Sequence, residues 1–288
     1  MDILVLGVLL GGSYALMALG LQLQYGVARI MNLANGEVLV AGSFGAFWFW
    51  TGLKLSPFLS IVPAALLAFV ANWLVYRYVL RPLVRRAKSH GQLEVDSILA
   101  TFGMSFILVG VMIAVFGGEY FSYSYLARPF EIFGQPYGLN RIVAFAGSAV
   151  LCIVLALWLT RSRTGLALRG VAVNPTAAGL VGIDVLKASA LAFALGGAVT
   201  ATGGALLSTF LTFDASLGVI FTMKALIIII FGGVSDIRGA IVASFILGIV
   251  ESAVARLIDP GLTLAAAYIL FIAVLLWRPQ GLFGRKSA

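Results

Sequence analysis

A succession of apolar windows, each close to the length of a membrane-spanning helix, constrains this chain more than any other feature. A helix that crosses the hydrocarbon core of a membrane needs about 20 apolar residues. Windows of this kind occur at 3–24, 34–52, 58–76, 97–117, 141–160, 188–210, 219–233, 240–257 and 262–277. Together with their connections they use nearly all of the 288 residues. We therefore expect one transmembrane domain over 1–288 and no second folded domain.

The windows are helical in character. Stretches such as 143–159 and 226–230 are continuously apolar, whereas strands of a membrane β-barrel alternate apolar and polar residues. Charged residues make up 10% of the chain, against about 25% in soluble domains. The 33 glycines allow close packing of helices in lipid. The sequence thus predicts an all-α, polytopic bundle of about eight or nine spans.

The basic residues indicate the orientation of the bundle. Three connections hold twelve of the 19 Lys and Arg residues: Arg77, Arg81, Arg85, Arg86 and Lys88; Arg161, Arg163, Arg169 and Lys187; and Arg278, Arg285 and Lys286. The positive-inside rule assigns all three connections to the cytoplasm. The net charge of +8 therefore reports orientation, and we expect no nucleic-acid binding.

This topology places the N-terminus outside and Arg29 inside, provided that window 219–233 crosses the membrane completely. That window is short, contains Lys224 and ends in Gly232 and Gly233. A broken or re-entrant helix, which would leave eight full spans, is the alternative.

Side chains for catalysis or metal binding are scarce. Cys152 is the single cysteine and His90 the single histidine, so one chain cannot assemble a disulfide, a zinc site or a histidine-based triad. Glu37 and Glu251 both lie near the ends of predicted helices, so the mid-span acids of ion-coupled carriers are also scarce. We expect a chain that is not an enzyme and that holds no cofactor and no metal.

Two parts of the chain repeat the same order of segments. A Gly-rich helix, a polar turn and a second Gly-rich segment occur at 3–24, 25–33 and 34–52, and again at 188–210, 211–218 and 219–233. The two units enter the membrane from opposite sides in the topology above, which is the arrangement of an inverted repeat. In transporters the substrate site lies at the interface of such repeats.

The polar turn of the first unit favours a translocation path. Asn35 and Gly36 are turn residues, and Glu37 lies in the first turn of the following helix, where the helix dipole favours a negative charge. An acidic residue in a membrane faces either protein or a water-filled cavity. We expect Asn32, Asn35, Glu37 and Thr101 to border the path. An interfacial helix cap is the alternative interpretation of this turn.

A short helix is predicted over about 175–181, inside the second basic connection, a loop over about 161–187. Pro175 suits the first position of a helix, Asn174 its cap and Gly182 its C-terminal stop. The helix is too short to span a membrane, and its outer residues are small and apolar: Ala177, Ala178, Leu180 and Val181. Such a helix favours insertion into a groove of a cytoplasmic partner. The alternative is a helix that lies on lipid.

A third segment, 231–240, joins two late windows. Gly232, Gly233 and Gly239 allow a sharp turn, and with Gly36 they are the predicted hinges of the bundle. We expect Asp236 and Arg238 to satisfy each other. The segment lacks the Lys and Ser/Thr of a phosphate-binding loop, so it predicts no nucleotide site.

These segments resemble the permease subunits of high-affinity branched-chain amino acid ABC importers, the LivH-type family that includes urea and amide permeases. Residues 26–37 are similar to the family run G-V-x-x-[IV]-[IL]-N-x-A-H-G-E, with Asn35 in place of histidine. Residues 231–240 and 277–284 resemble the late turn and the ending of the family. The spacing within 165–183 resembles the loop that contacts the ATPase, and it includes Gly165, Arg169, Asn174, Pro175, Ala177, Ala178 and Gly182.

The resemblance implies a pore-forming subunit in the bacterial inner membrane. It pairs with a second homologous permease, two cytoplasmic ATP-binding subunits and a periplasmic solute-binding protein, and it moves branched-chain or related amino acids by alternating access. The outer loop 118–140, rich in aromatics and prolines, is then either a docking surface for the binding protein or an interfacial anchor. A stand-alone carrier or channel for a small polar solute such as urea or an amide is the competing interpretation.

Overall fold

The computed structural model describes residues 2–87, 89–132, 135–234, 236–278 and 280–283. Lys88, Arg285 and Lys286, named above, lie outside them, as do Phe133, Ser235, Pro279 and Gly284 within the ranges named above. The described residues form these helices: α1 (Asp2–Ala28), α2 (Asn35–Thr51), α3 (Ile61–Val75), α4 (Arg81–Arg86), α5 (His90–Phe116), α6 (Leu139–Arg161), α7 (Arg163–Val173), α8 (Pro175–Leu180), α9 (Val185–Leu207), α10 (Gly218–Gly232), α11 (Ile237–Leu257) and α12 (Thr263–Trp277).

Shorter elements complete the chain. A 3₁₀ turn at Pro57–Ser60 precedes α3, and a π-helical turn at Tyr76–Leu80 joins α3 to α4. Strands β1 (Pro129–Ile132) and β2 (Gln135–Gly138) pair antiparallel as a hairpin in the loop between α5 and α6. The predicted all-α bundle is confirmed, because each of the nine apolar windows contains a helix. Within the described ranges, seven helical segments are long and apolar enough to cross a membrane.

The centre of the bundle is the pair α1 and α9, whose side chains are mostly buried. Small residues let the backbones approach: Gly20 of α1 lies against Gly196 of α9, and Gly7 lies against α11. Lipid provides no hydrophobic force between helices, so close van der Waals contact at such positions stabilises their association. By contrast, α3, α5 and α12 bury few of their side chains within the described part of the chain.

Helix α2 begins deep inside this bundle rather than at a membrane surface. Asn35, its first residue, donates from Nδ2 to the carbonyl oxygen of Met17 at 3.5 Å. Met17 lies eleven residues before the end of α1, which corresponds to about 16 Å of helix. The non-helical segment 29–34 therefore runs back along α1. Helix α2 is a half-helix that starts near the middle of the membrane.

Helix α10 is the second half-helix. It begins at Gly218, beside Glu37 of α2, and it ends at Gly232, which lies against Gly239 in the first turn of α11. The preceding segment 208–217 comes from the other face, where Phe213 forms a two-hydrogen-bond bridge with Phe121. The fifteen residues of α10 correspond to about 22 Å, which is shorter than the hydrocarbon core of about 30 Å.

The topology combines the two alternatives for window 219–233. Helix α10 covers only part of the crossing, as in a broken helix, but segment 208–217 completes it. The number of crossings between the second basic connection and the C-terminal one therefore stays even. A similar arrangement occurs at window 34–52, where segment 29–34 completes the crossing that α2 begins partway. The two half-helices point in opposite directions from a shared starting level, as an inverted repeat requires.

The ends of the bundle agree with the predicted sidedness. Arg29, at the lower end of α1, donates from Nη2 to the carbonyl oxygen of Ala172 in the second basic connection, at 3.2 Å. At the other end, Asp2 pairs with Arg256 at 3.5 Å and accepts a hydrogen bond from Tyr137 at 3.1 Å. Arg29 and the basic connection thus share one face, opposite the N-terminus.

Two glycines on α2 provide a matched test of its contact with α9. A Cβ at Gly42 would overlap the carbonyl oxygen of Ala201, whereas a Cβ at Gly45 would meet nothing within 4 Å. We expect Gly42→Ala to destabilise the protein by about 1–3 kcal/mol through overpacking. Gly45→Ala should be neutral or should stabilise the helix by about 0.5–1 kcal/mol. Thermal unfolding in detergent measures both, and equal midpoints would contradict the close crossing.

Candidate functional site

The N-termini of α2 and α10 meet inside the bundle at a place that we call the half-helix junction, formed by residues 35–37, Gly218 and Thr222. The backbone N–H of Gly36 donates to Thr222 Oγ1 at 2.8 Å, and that hydroxyl donates to the carbonyl oxygen of Leu33 at 3.1 Å. A Cβ on Gly36 would overlap the backbone of Gly218, so only glycine allows the two helices to approach this closely. Two helix N-termini concentrate partial positive charge here.

Glu37 supplies the negative charge of the junction. Its side chain is fully buried, and Oε1 accepts a hydrogen bond from Ser105 Oγ of α5 at 2.8 Å. A side chain on Gly218, the first residue of α10, would contact the Glu37 carboxyl group. The carboxylate therefore lies at the positive ends of both half-helices, where a charge inside a membrane is stabilised. Its Oε2 atom has no hydrogen-bond partner among the described residues.

Asn35 attaches the start of α2 to the central helices. Besides its contact with Met17, its Oδ1 accepts a hydrogen bond from Thr200 Oγ1 of α9 at 2.9 Å. Both side chains are fully buried. An amide provides a donor and an acceptor at once, so this residue joins α1, α2 and α9 without a titratable group.

The non-helical segment 29–34 has backbone groups that no helix satisfies, and α5 supplies their partners. Ser97 Oγ accepts from the N–H of Met31 at 3.3 Å, and Thr101 Oγ1 accepts from the N–H of Leu33 at 3.0 Å. Thr101 also lies 3.0 Å from the carbonyl oxygen of Met31, to which it can donate. Ser97, Thr101 and Ser105 recur every four residues and so share one face of α5. They form a row of hydroxyls that holds α5 against segment 29–34 and the start of α2.

Asn32 stabilises the segment from within. Its Oδ1 accepts from the N–H of Ala34 at 3.0 Å, and its Nδ2 donates to Gln24 Oε1 of α1 at 2.9 Å. The structure thus brings the four expected path residues, Asn32, Asn35, Glu37 and Thr101, together around the half-helix junction. All four are buried in this conformation, so their place on a translocation path stays a prediction.

A buried charged cluster was missed by the sequence analysis. Lys224 Nζ of α10 lies 2.8 Å from Glu251 Oε2 of α11, and Tyr14 of α1 donates to the same oxygen at 2.7 Å. Glu37 lies in the first turn of α2 as predicted, but both Glu37 and Glu251 are buried inside the bundle. One signal was available: a lysine in an apolar window requires an acidic partner, and Glu251 is the acid in the next window.

The predicted short helix of the second basic connection is confirmed as α8. Asn174 Oδ1 accepts from the N–H of Ala177 at 3.0 Å, Pro175 is the first helical residue, and Gly182 has a φ of +85°. The following helix is capped by Asp184, which accepts from the N–H of Lys187 at 3.0 Å. This hydrogen bond holds the pKa of the Asp184 carboxyl group below its usual value.

The loop has one packed face and one exposed face. A Cβ on Gly165 would overlap the backbone of Leu159 in α6, and Ala178 is buried. Leu180 and Val181, at the end of α8, are 85% and 77% exposed. Arg169, Ala177 and Val173 are exposed beside them. An apolar tip surrounded by polar surface is typical of a protein contact.

The late turn differs from expectation in one contact. Asp236 caps α11 through the backbone N–H groups of Arg238 and Gly239, at 2.8 and 3.2 Å. The prediction that Asp236 and the Arg238 side chain satisfy each other is therefore wrong, because the helix N-terminus takes the carboxylate. Gly233 has a φ of +106°, which favours glycine. A hinge at these positions stays a prediction.

Comparison with known proteins shows similarity along nearly the whole chain. A family model described as the permease component of the branched-chain amino acid transport system matches residues 3–276. The high-affinity branched-chain amino acid permease BraD of Pseudomonas aeruginosa is 30% identical over 99% of this chain and 95% of its own. Its counterpart LivH of Escherichia coli K12 is 28% identical over 98% and 94%.

Similarity extends to an archaeal protein and to a solved structure. A probable LivH permease of Methanocaldococcus jannaschii is 29% identical over 93% of this chain and 88% of its own. PsaBC from Streptococcus pneumoniae, solved in complex with a Fab, aligns with a TM-score of 0.50 at 12% identity, over 98% of this chain and 94% of that chain. The last likeness concerns the fold alone.

Thr101 allows a test of the hydroxyl row. We expect Thr101→Val to destabilise the protein by about 1–3 kcal/mol, because it leaves the N–H of Leu33 buried without its partner. Thr101→Ser keeps the hydroxyl and is the matched control. Thermal unfolding of the purified chain distinguishes them, and a valine variant as stable as the serine variant would contradict the role of this hydroxyl.

Proposed function

The chain belongs to the family of branched-chain amino acid transport permeases, and from this premise we propose that it is the membrane-spanning subunit of an ATP-driven importer for branched-chain or related small amino acids. It is a multi-pass protein of the bacterial inner membrane and not an enzyme, since separate subunits hydrolyse the ATP. The observation that carries the proposal beyond the family is the exposed apolar tip of α8, which fits a contact with such a subunit.

The proposed coupling runs from α8 to the half-helix junction. Helix α7 packs through Val171 and Leu168 against Leu23 and Val27 at the lower end of α1. The hydrogen bond between Arg29 and the backbone of Ala172 joins the loop to the first residue of segment 29–34, and this segment ends at α2. A movement of α8 by the ATPase can therefore reach the junction through packed contacts alone. We assign Gly165, Arg169, Asn174, Pro175, Ala177, Ala178 and Gly182 to this coupling loop.

The proposed path lies where α5 covers the junction. Apart from Met112, Leu93 and the hydroxyl row, α5 buries few of its side chains, and its outer face exposes Leu99, Phe102, Phe106 and Val111. We propose that this face meets the second, homologous permease. Separation of α5 from α2 would then expose Glu37 and Thr101 to the path, and Asn32 and Asn35, which bond α1 and α9, complete its proposed border. The alternating access of the importer would consist of this opening and its counterpart on the other side.

The outer loop 118–140 divides into two parts. Its first part packs on the bundle: the ring centroids of Tyr125 and Trp50 are 5.1 Å apart, and Tyr123 bonds Ser208 at 2.8 Å. Its hairpin exposes Phe130 on one strand, while Tyr137 on the other strand is buried and bonds Asp2 of α1. We propose that the hairpin contacts the periplasmic solute-binding protein, while the packed aromatics hold the loop in place.

Co-purification and reconstitution test the function directly. We expect two ATP-binding subunits and a second permease to co-purify with this chain in detergent. In proteoliposomes, uptake of leucine, isoleucine or valine should require ATP and the binding protein. The inverted half-helices also suit a stand-alone carrier. Uptake by this chain alone, without ATP, would support that carrier and contradict the importer.

Leu180 tests the contact with the ATPase. We expect Leu180→Asp to reduce co-purification of the ATP-binding subunits by tenfold or more, because a charge replaces an apolar anchor at an interface, which costs about 2 kcal/mol or more. Leu53→Asp, an exposed apolar position on the opposite face, is the control and should leave co-purification unchanged. Both variants should unfold at the wild-type temperature. Equal recovery of ATPase with both would contradict the assignment of α8.

A further inference from the structure

The depth of a half-helix, meaning its position along the membrane normal, is less constrained than the depth of a full span. The two ends of a full span lie in the two interfacial regions, where aromatic and charged residues hold them. The N-terminus of α10 lies inside the bundle, so only its contacts with neighbouring helices determine how deep it sits. The junction depends on this depth, because Gly218 has to meet Glu37 and Thr222 has to meet Gly36.

Apolar packing alone specifies the depth of α10 weakly. Residues 226–230 read Leu-Ile-Ile-Ile-Ile, so a displacement by one helical turn, about 5.4 Å, brings one similar aliphatic side chain to the place of another. In a membrane such a displacement exchanges helix contacts for equally apolar lipid contacts. A polar residue at a unique position removes this ambiguity, as a buried polar residue does for the register of a coiled coil.

Lys224 is that residue. Its ammonium group lies 2.8 Å from Glu251 Oε2 of α11 and 3.0 Å from the hydroxyl of Tyr14 in α1. The ammonium group is also 5.0 Å from the centroid of the Tyr14 ring. The three residues are 8%, 4% and 3% exposed, so displacement of α10 by a turn would leave two charges unpaired in a medium that does not solvate them.

Stability alone does not account for such a cluster. Removal of charged groups from water costs several kcal/mol for each ion, and well-packed apolar residues of similar volume stabilise a core equally well or better. What a charged pair adds is one allowed geometry. The cluster stands two residues beyond Thr222 and six beyond Gly218 along α10, so it acts within about 9 Å of the junction.

We infer that Lys224, Glu251 and Tyr14 are positioning residues that fix the depth of α10, and with it the half-helix junction, for transport. The cluster joins α10 to two longer helices, α1 and α11. The ion pair between Lys224 and Glu251 holds α10 against α11 at this one position. The inference rests on the proposed function and names the residues that keep its junction assembled.

The experiment compares the paired variant Lys224→Met/Glu251→Gln with the control Asp2→Asn/Arg256→Gln. The first removes both buried charges at nearly constant volume. The second removes an ion pair that also joins α1 and α11 but is partly exposed and does not involve α10. Two quantities are measured on the assembled complex: hydrogen exchange of the backbone amides, and the amount of amino acid transported per ATP hydrolysed.

We expect the Lys224→Met/Glu251→Gln complex to assemble and to exchange the amides of 35–39 and 218–224 about tenfold faster than wild type, as local opening predicts. Exchange within α9 should stay unchanged. Transport per ATP should fall by about fivefold or more, a ratio that a mere loss of protein does not alter. The control complex should match wild type in both measurements.

Three results would overturn the inference: wild-type exchange at the junction, a wild-type transport ratio, or a paired variant that does not accumulate. The last would mean that folding itself requires the charges. If the wild-type complex shows no ATP-dependent transport, the proposed function fails, and the exchange measurement still decides whether the cluster holds α10.

Discussion

The structure depends on one constraint: a backbone that leaves the helical conformation inside a membrane has to find its hydrogen bonds in protein. Segment 29–34 is such a stretch, and the bundle surrounds it with donors and acceptors from Ser97 and Thr101 of α5 and from Thr222 of α10. The packing of α5 against α2 follows from this need. So does the central position of α1 and α9, which shield both half-helices from lipid.

Charge compensation completes the arrangement. The paired N-termini of α2 and α10 would be costly alone, as would a carboxylate in the same place, but Glu37 and the helix ends neutralise each other. Lys224 and Glu251 form a second pair of compensating charges, six residues beyond Gly218 along α10. Polar contacts therefore hold each half-helix at defined positions, while the rest of its surface is mostly apolar. This combination allows defined alternative arrangements without loss of the fold.

Packed contacts connect the loop that contains α7 and α8 to the interior of the bundle. The tip of α8 is free, but the base of the loop packs on α1 and bonds Arg29, from which segment 29–34 leads to the junction. A permease of this family needs such continuity, because the energy source is a separate protein and only mechanical contact can convey it. The cluster at Lys224 contributes by keeping the far side of the junction at a fixed depth.

Local signals sufficed for much of this protein. Apolar windows predicted the helices, and Asn174, Pro175 and Gly182 predicted the ends of α8, because each of these depends on neighbouring residues only. The tertiary structure alone decided that α2 and α10 begin in the middle of the membrane, that Glu251 pairs with Lys224, and that Asp236 caps a helix. Hydropathy measures how apolar a segment is and not how deep it lies, and depth is set by contacts between residues far apart in the chain.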